Sequence, residues 1–130
     1  MIEDVTVFLE EPESNLHPNL QSKLAELIIS CTQWNRNSQA MVKPKFIIET
    51  HSEYFIRKLQ YLVGTEKIDN SKISLHYFEM NRKGKNKGVK VNSIKIKPDG
   101  VLSQPFCSGF LDEADNIAMS LFSLKNIQAN

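Results

Sequence analysis

Glycine is scarce in this chain, with five in 130 residues at positions 64, 84, 88, 100 and 109. No G-x-x-x-x-G-K-[ST] run can be written from them, so no P-loop, whose backbone N–H groups and lysine cradle phosphates, lies within these residues. Gly84-Lys85-Asn86-Lys87-Gly88 reads as a turn, without the strand-to-helix setting of a phosphate loop. Cys31 and Cys107 are too few and too far apart for a zinc site or a disulfide framework. No stretch approaches the roughly 18 apolar residues of a membrane helix, and Met1 is followed by Ile2-Glu3-Asp4, unlike a signal peptide. The expectation is a cytoplasmic protein that makes no use of a membrane.

Charge of one sign is lacking too. Charged residues make up 24% and the net charge is +1, so global electrostatics name no partner. The distribution is uneven, because Arg82 to Lys97 hold seven Lys or Arg and no acid. With 41% hydrophobic residues the chain is long enough for one core, and residues 1–130 read as a single domain.

What is present has a clear order. Val5-Thr6-Val7-Phe8-Leu9 is short and β-branched, a strand of the type buried on both faces in parallel sheets. Pro18 suits the first turn of a helix, and Leu20, Leu24, Leu27, Ile28 and Cys31 follow at helical spacing. A polar connection from Trp34 to Lys45 leads to a second strand, Phe46-Ile47-Ile48. Thr50 and Glu53 have the spacing of a capping box, and Phe55, Ile56, Leu59, Leu62 and Val63 form an amphipathic stripe that Gly64 ends. Strands over Ile73–Met80 and Val89–Ile96 flank the Gly84–Gly88 turn and are expected to run antiparallel. Pro98-Asp99-Gly100 is a turn, Ser103 to Gly109 a loop, and Ala114, Ile117, Ala118, Leu121 and Phe122 mark a final helix. The order β-α-β-α-β-β-α predicts an α/β fold, a mainly parallel sheet with an added antiparallel hairpin. A right-handed strand-helix-strand crossover sets the first two strands side by side. Glu10, Glu11 and His51 then converge on one edge of the sheet.

Two motifs carry the chemistry: Glu10-Glu11-Pro12-Glu13 closing the first strand and Thr50-His51-Ser52-Glu53 closing the second. Ends of strands in open α/β sheets are where such folds place their ligands. Adjacent carboxylates there can divide labour, one holding Mg²⁺ through a water and the other orienting an attacking water. A solvated acidic turn before a helix is the plainer alternative for the acids, and a partly exposed polar residue for His51. His76, inside a strand with no ligand partner at useful spacing, reads as structural.

Val5 to Gln21, VTVFLEEPESNLHPNLQ, resembles the Walker B and D-loop segment of ABC-type ATPases of the SMC and RecF-like branch. Phe46 to Leu59, FIIETHSEYFIRKL, resembles their switch-histidine segment. A bacterial group of predicted AAA-type ATPases is most similar, and Gly109-Phe110-Leu111-Asp112-Glu113 looks like the ending of that group's tail domain. The resemblance implies the C-terminal lobe of a P-loop NTPase that takes ATP and Mg²⁺. It sets Glu10 at the metal-side acid, where most relatives have Asp, and Glu11 at the catalytic acid. Leu16 and His17 fall in the D-loop, which places His17 among the nucleotide-binding residues although transporters carry Asp there. His51 falls at the histidine that senses the γ-phosphate.

The same resemblance implies partners: an N-terminal half that brings the P-loop, or a second ATPase head, with a homodimer among the arrangements. Its phosphate-loop strand belongs between the strand at Phe46–Glu49 and the one at Ile73–Met80. In this chain those two strands are expected to pair directly or to fill the gap by self-association. A degenerate lobe kept as a non-catalytic protein-interaction module is the alternative function. The basic residues Arg82, Lys83, Lys85, Lys87, Lys90, Lys95 and Lys97 suit a nucleic-acid backbone, although edge lysines also serve simply to discourage aggregation. Asp112, Glu113 and Asp115 invite a metal-nuclease reading, but acids that open a helix are favoured there by capping and dipole effects alone.

Overall fold

β1 (Glu3–Glu10) and β2 (Val42–Glu49) lie side by side and parallel, in the register Val7 to Phe46, Leu9 to Ile48 and Glu10 to Glu49. The computed structural model that shows this describes residues 3–33, 42–81, 88–106 and 110–128. The crossover between the two strands includes α1 (Pro18–Gln33), which starts at the proline because its fixed φ and missing N–H cost nothing in a first turn. α2 (Glu53–Gly64) follows β2, then β3 (Leu75–Asn81) and β4 (Gly88–Ile94) pair antiparallel, and α3 (Glu113–Gln128) follows. The α/β class and both strand pairings agree with the sequence reading. β2 begins at Val42, earlier than the sequence suggests, because Pro44 sits at a strand with one free edge, where a missing N–H is tolerated.

Three expectations need correction. Among the described residues the strands form two separate two-stranded sheets, β1–β2 and β3–β4, rather than one mainly parallel sheet. Direct pairing of β2 with β3 is therefore absent among the described residues. The stripe on α1 is rotated: Ala25, Ile28 and Ile29 are buried while Leu20 and Leu27 face water. Helical spacing fits both sets, and contact with α2 selects the first. α3 is helical as expected, but its apolar stripe is exposed along the described side chains. The basic turn residues Arg82, Lys83, Lys85 and Lys87, and Cys107, lie outside the described residues.

The core lies between α1 and α2, joined by Ile68 and Ile96. Phe55, Ile56, Leu59, Leu62 and Val63 supply the α2 side, and Leu9, Phe46 and Ile48 from the inner face of β1–β2 pack against it. Burying a side chain of this kind contributes about 1.5–3 kcal/mol, so the α1–α2–sheet contact is the main source of stability. The opposite face of β1–β2 carries Phe8 and Ile47 as a direct cross-strand pair, both exposed. Gly100 closes a turn against α2. Its φ is +82°, and a Cβ there would stand 2.5 Å from the Gln60 carbonyl oxygen.

Candidate functional site

β1 and β2 end in register, so the segments that leave them meet at one edge. Glu10, the last residue of β1, is exposed and sits directly opposite Glu49. Two carboxylates facing each other across adjacent strands repel, and a cation or a bound water network relieves that repulsion. Such hard oxygen donors suit Mg²⁺, which is commonly held by one or two carboxylates with water and phosphate completing its shell. Among the described residues no three His, Cys, Asp or Glu side chains are grouped as a metal site made by protein alone.

Glu11 makes the turn out of the strand. Its backbone N–H continues the ladder to Glu49 O at 2.9 Å, and its φ is +42°, a left-handed conformation that non-glycine residues rarely adopt. Pro12 follows it and disfavours helical conformations in the residue before. The side chain of this constrained residue bridges both segments. Oε1 lies 3.2 Å from His51 Nε2, and Oε2 accepts from the Ser14 hydroxyl at 3.1 Å. The structure thus brings Glu11 and His51 together, both accessible to solvent, with Glu10 next to them in the chain. His17 is exposed at the start of α1, where its carbonyl accepts from Leu20 N and Gln21 N at 2.7 and 3.1 Å.

Glu13 is the residue that the sequence reading left without a role. It is only 6% exposed, and Oε1 accepts from Thr50 Oγ1 at 2.5 Å and from the His51 backbone N–H at 2.9 Å. Oε2 is buried with no hydrogen-bond partner among the described residues. Burial pushes this carboxyl up, but the Thr50 hydroxyl and the backbone N–H groups of His51 and Ser52, with its own backbone, outweigh burial and hold it below the usual carboxylate range. It is therefore an anion clamped onto the turn that presents His51.

The Thr50–Glu53 capping box is not formed. Thr50 directs its hydroxyl to Glu13, and its oxygen accepts from Ser52 N at 3.1 Å. Ser52 is the N-cap of α2, accepting from Phe55 N at 3.0 Å, and its own hydroxyl donates to Gln21 Oε1 at 2.5 Å. Gln21 Nε2 in turn donates to the Leu16 carbonyl at 2.9 Å. Glu53 instead pairs with Arg57 one turn on, 3.5 Å away. A continuous hydrogen-bonded chain, Glu13–Thr50–Ser52–Gln21–Leu16, thus locks the two motifs to each other. The signal in the sequence was the cluster of short hydroxyl residues beside a Glu; spacing alone does not say which of them caps.

Residues 2–56 match the family model described as AAA ATPase domain. Residues 68–121 match a second family, described as a protein of unknown function (DUF3696). No curated protein and no solved structure matches the chain. The first match covers β1, α1, β2 and the start of α2, and so includes the whole edge where Glu10, Glu11, Glu13 and His51 meet. This part of the chain is similar to the AAA ATPase domain family. The second match covers β3, β4 and the first half of α3. Among the described residues no helix is long and apolar enough to cross a membrane.

Proposed function

We propose that this chain supplies the acidic and histidine side of an ATP-hydrolysing site. Glu11 orients and deprotonates the attacking water, and His51 reads the γ-phosphate from the neighbouring turn. Glu10 would hold Mg²⁺, which would neutralise phosphate charge when bound, and His17 belongs to a D-loop beside the nucleotide. The carrying observation is the 3.2 Å contact between Glu11 Oε1 and His51 Nε2 at the C-terminal edge of two parallel strands. The AAA ATPase match over the same residues supports it. Positioning supplies most of the catalysis in phosphoryl transfer, and backbone amides that would hold the phosphates are not among these motifs. The reading therefore requires a P-loop-bearing half or a second head as partner, as in ABC-type enzymes.

The test is made on the chain joined to a P-loop half. Glu11→Gln should retain ATP binding and lose turnover by about 100-fold or more. Glu10→Ala should weaken Mg²⁺-nucleotide binding itself, and His51→Ala should lower turnover while leaving the fold intact. Equal loss of nucleotide binding in the Glu10 and Glu11 variants would make the acids structural. A second reading, a degenerate lobe that acts as a protein-interaction module, draws on the exposed Phe8–Ile47 pair. Failure of the joined protein to bind an ATP analogue favours it.

A further inference from the structure

β3 and β4 have two unlike faces. On the inner face Tyr77 packs against Phe106 and Phe110, with ring centroids 5.3 and 5.8 Å away, and Leu75 packs onto the core. On the outer face Phe78 pairs with Val91 and Met80 with Val89, and all four are exposed, Phe78 and Met80 by 66% and 67%. They form one contiguous patch of roughly 400 Å², the size of the largest apolar patch on a typical monomer, which is often functional. α3 carries the matching feature. Ala114, Ile117, Ala118, Leu121 and Phe122 recur at three- and four-residue spacing along one stripe, and all are exposed. A helix stripe laid on a sheet face is a standard way for both to leave water.

The helix cannot cover the patch on its own chain. Phe110 is held on the inner face by Tyr77 and Phe106, and the carbonyl of buried Leu111 accepts from Arg57 Nη2 at 3.0 Å. α3 begins at Glu113, so Asp112 alone separates this anchor from the helix. One residue spans at most about 3.6 Å, whereas passing from one side of a sheet to a helix layer on the other takes on the order of 10 Å or more. A second copy has no such tether.

We propose that two copies of this chain exchange α3, each helix stripe docking on the partner's Phe78–Met80–Val89–Val91 face. Two helix-on-sheet contacts related by a two-fold axis would bury on the order of 1,600 Å², the area of a standard stable interface. β3, β4 and α3 as far as Leu121 lie within the span of the DUF3696 match, so most of the interface belongs to that half of the chain. It needs no nucleotide and is independent of the ATP-site reading.

Sedimentation equilibrium without nucleotide tests the proposal. The 14.9 kDa chain should sediment at twice its mass. Phe78→Lys with Val91→Glu places an opposite-charge pair directly across the strands, which preserves the pairing while spoiling the patch. Ile117→Glu with Leu121→Lys does the same for the stripe, at a spacing that supports the helix. Each double variant should be monomeric, and an equimolar mixture of the two should regain a dimer, weaker than wild type, because one of its contacts joins a native helix to a native patch. Phe78→Ser, milder and on the same exposed site, should weaken the wild-type dimer at least tenfold even if a charged variant misfolds. A monomeric wild type, a dimer that survives either double variant, or a mixture that stays monomeric would each overturn it.

Discussion

Glu13 Oε1 and Thr50 Oγ1 lie 2.5 Å apart across 37 positions of sequence, and the same carboxylate oxygen holds the His51 backbone N–H. This contact ties the segment after β1 to the segment after β2, and Glu11 and His51 are the exposed side chains it leaves facing each other. A carboxylate so placed fixes a loop more firmly than packing could, because its loss strands two donors at once.

Glu13→Ala should therefore destabilise the chain by about 2 kcal/mol, the cost of leaving buried donors unpaired, and Glu13→Gln, which retains one acceptor oxygen, by less. The pH dependence has a definite sign. Folding lowers the pKa of Glu13, so its contribution is fully present above the unfolded-state value and is lost as pH falls through the folded one. Urea midpoints of wild type and Glu13→Gln should lie furthest apart near neutrality and converge as the pH falls through the lowered pKa of Glu13. A constant gap down to acid pH would assign the stabilisation to packing.

Gly100→Ala should cost about 3 kcal/mol. The new Cβ would meet the Gln60 carbonyl oxygen at 2.5 Å, and the backbone φ of +82° is itself unfavourable for an L side chain. Gly64 faces the same turn, its Cβ position 3.0 Å from the Asp99 carbonyl oxygen, so neither element can retreat without disturbing α2. Thermal unfolding of the variant measures the effect, and a shift under about 2 °C would mean that the turn relaxes freely.

Most of the local structure was legible because each signal was redundant. Short β-branched runs, a proline at the start of α1 and five apolar residues on one face of α2 all point the same way, and the parallel neighbour relation of β1 and β2 follows from crossover geometry, although the burial of β1 on both faces does not hold, because Phe8 is exposed. That relation is what brought Glu11 and His51 to one edge. The misses fall where two readings fit one pattern. Leu20 and Leu27 share helical spacing with Ile28, yet only docking on α2 decides which arc is buried. Thr50 and Ser52 are both competent caps, and the competition was settled by Glu13, a residue distant in sequence from either. Sheet continuity was overestimated because strand order says which strands neighbour in chain sequence, not whether anything fills the space between β2 and β3.

The 130-residue chain alone should not turn over ATP. The candidate acid Glu11 and histidine His51 are both open to water, and the sequence holds no P-loop motif to cradle a phosphate beside them. With the γ-phosphate unfixed relative to Glu11, the advantage of orientation is lost, and orientation accounts for about 7–11 kcal/mol of barrier in well-aligned systems. Phosphate release by the purified chain should equal that of the Glu11→Gln control. Turnover above that control would falsify the requirement for a partner half.

Glu11 itself offers a test that separates folding from chemistry. An ordinary Gly substitution at a strand end lowers stability by about 0.5–1 kcal/mol through backbone entropy. At a φ of +42° before a proline, the native side chain already bears a left-handed penalty of about 1–2 kcal/mol, which glycine removes. The bonds that the carboxylate makes to Ser14 and His51 are solvent-exposed and weak, so removing them costs little. Glu11→Gly should accordingly be no less stable than wild type and gain up to about 1 kcal/mol, while the joined ATPase loses turnover as fully as it does with Glu11→Gln. Stability rising as activity disappears is the signature of a strained residue kept for its chemistry. A loss of stability beyond about 1 kcal/mol in urea unfolding would show instead that the carboxylate at this turn holds the fold together.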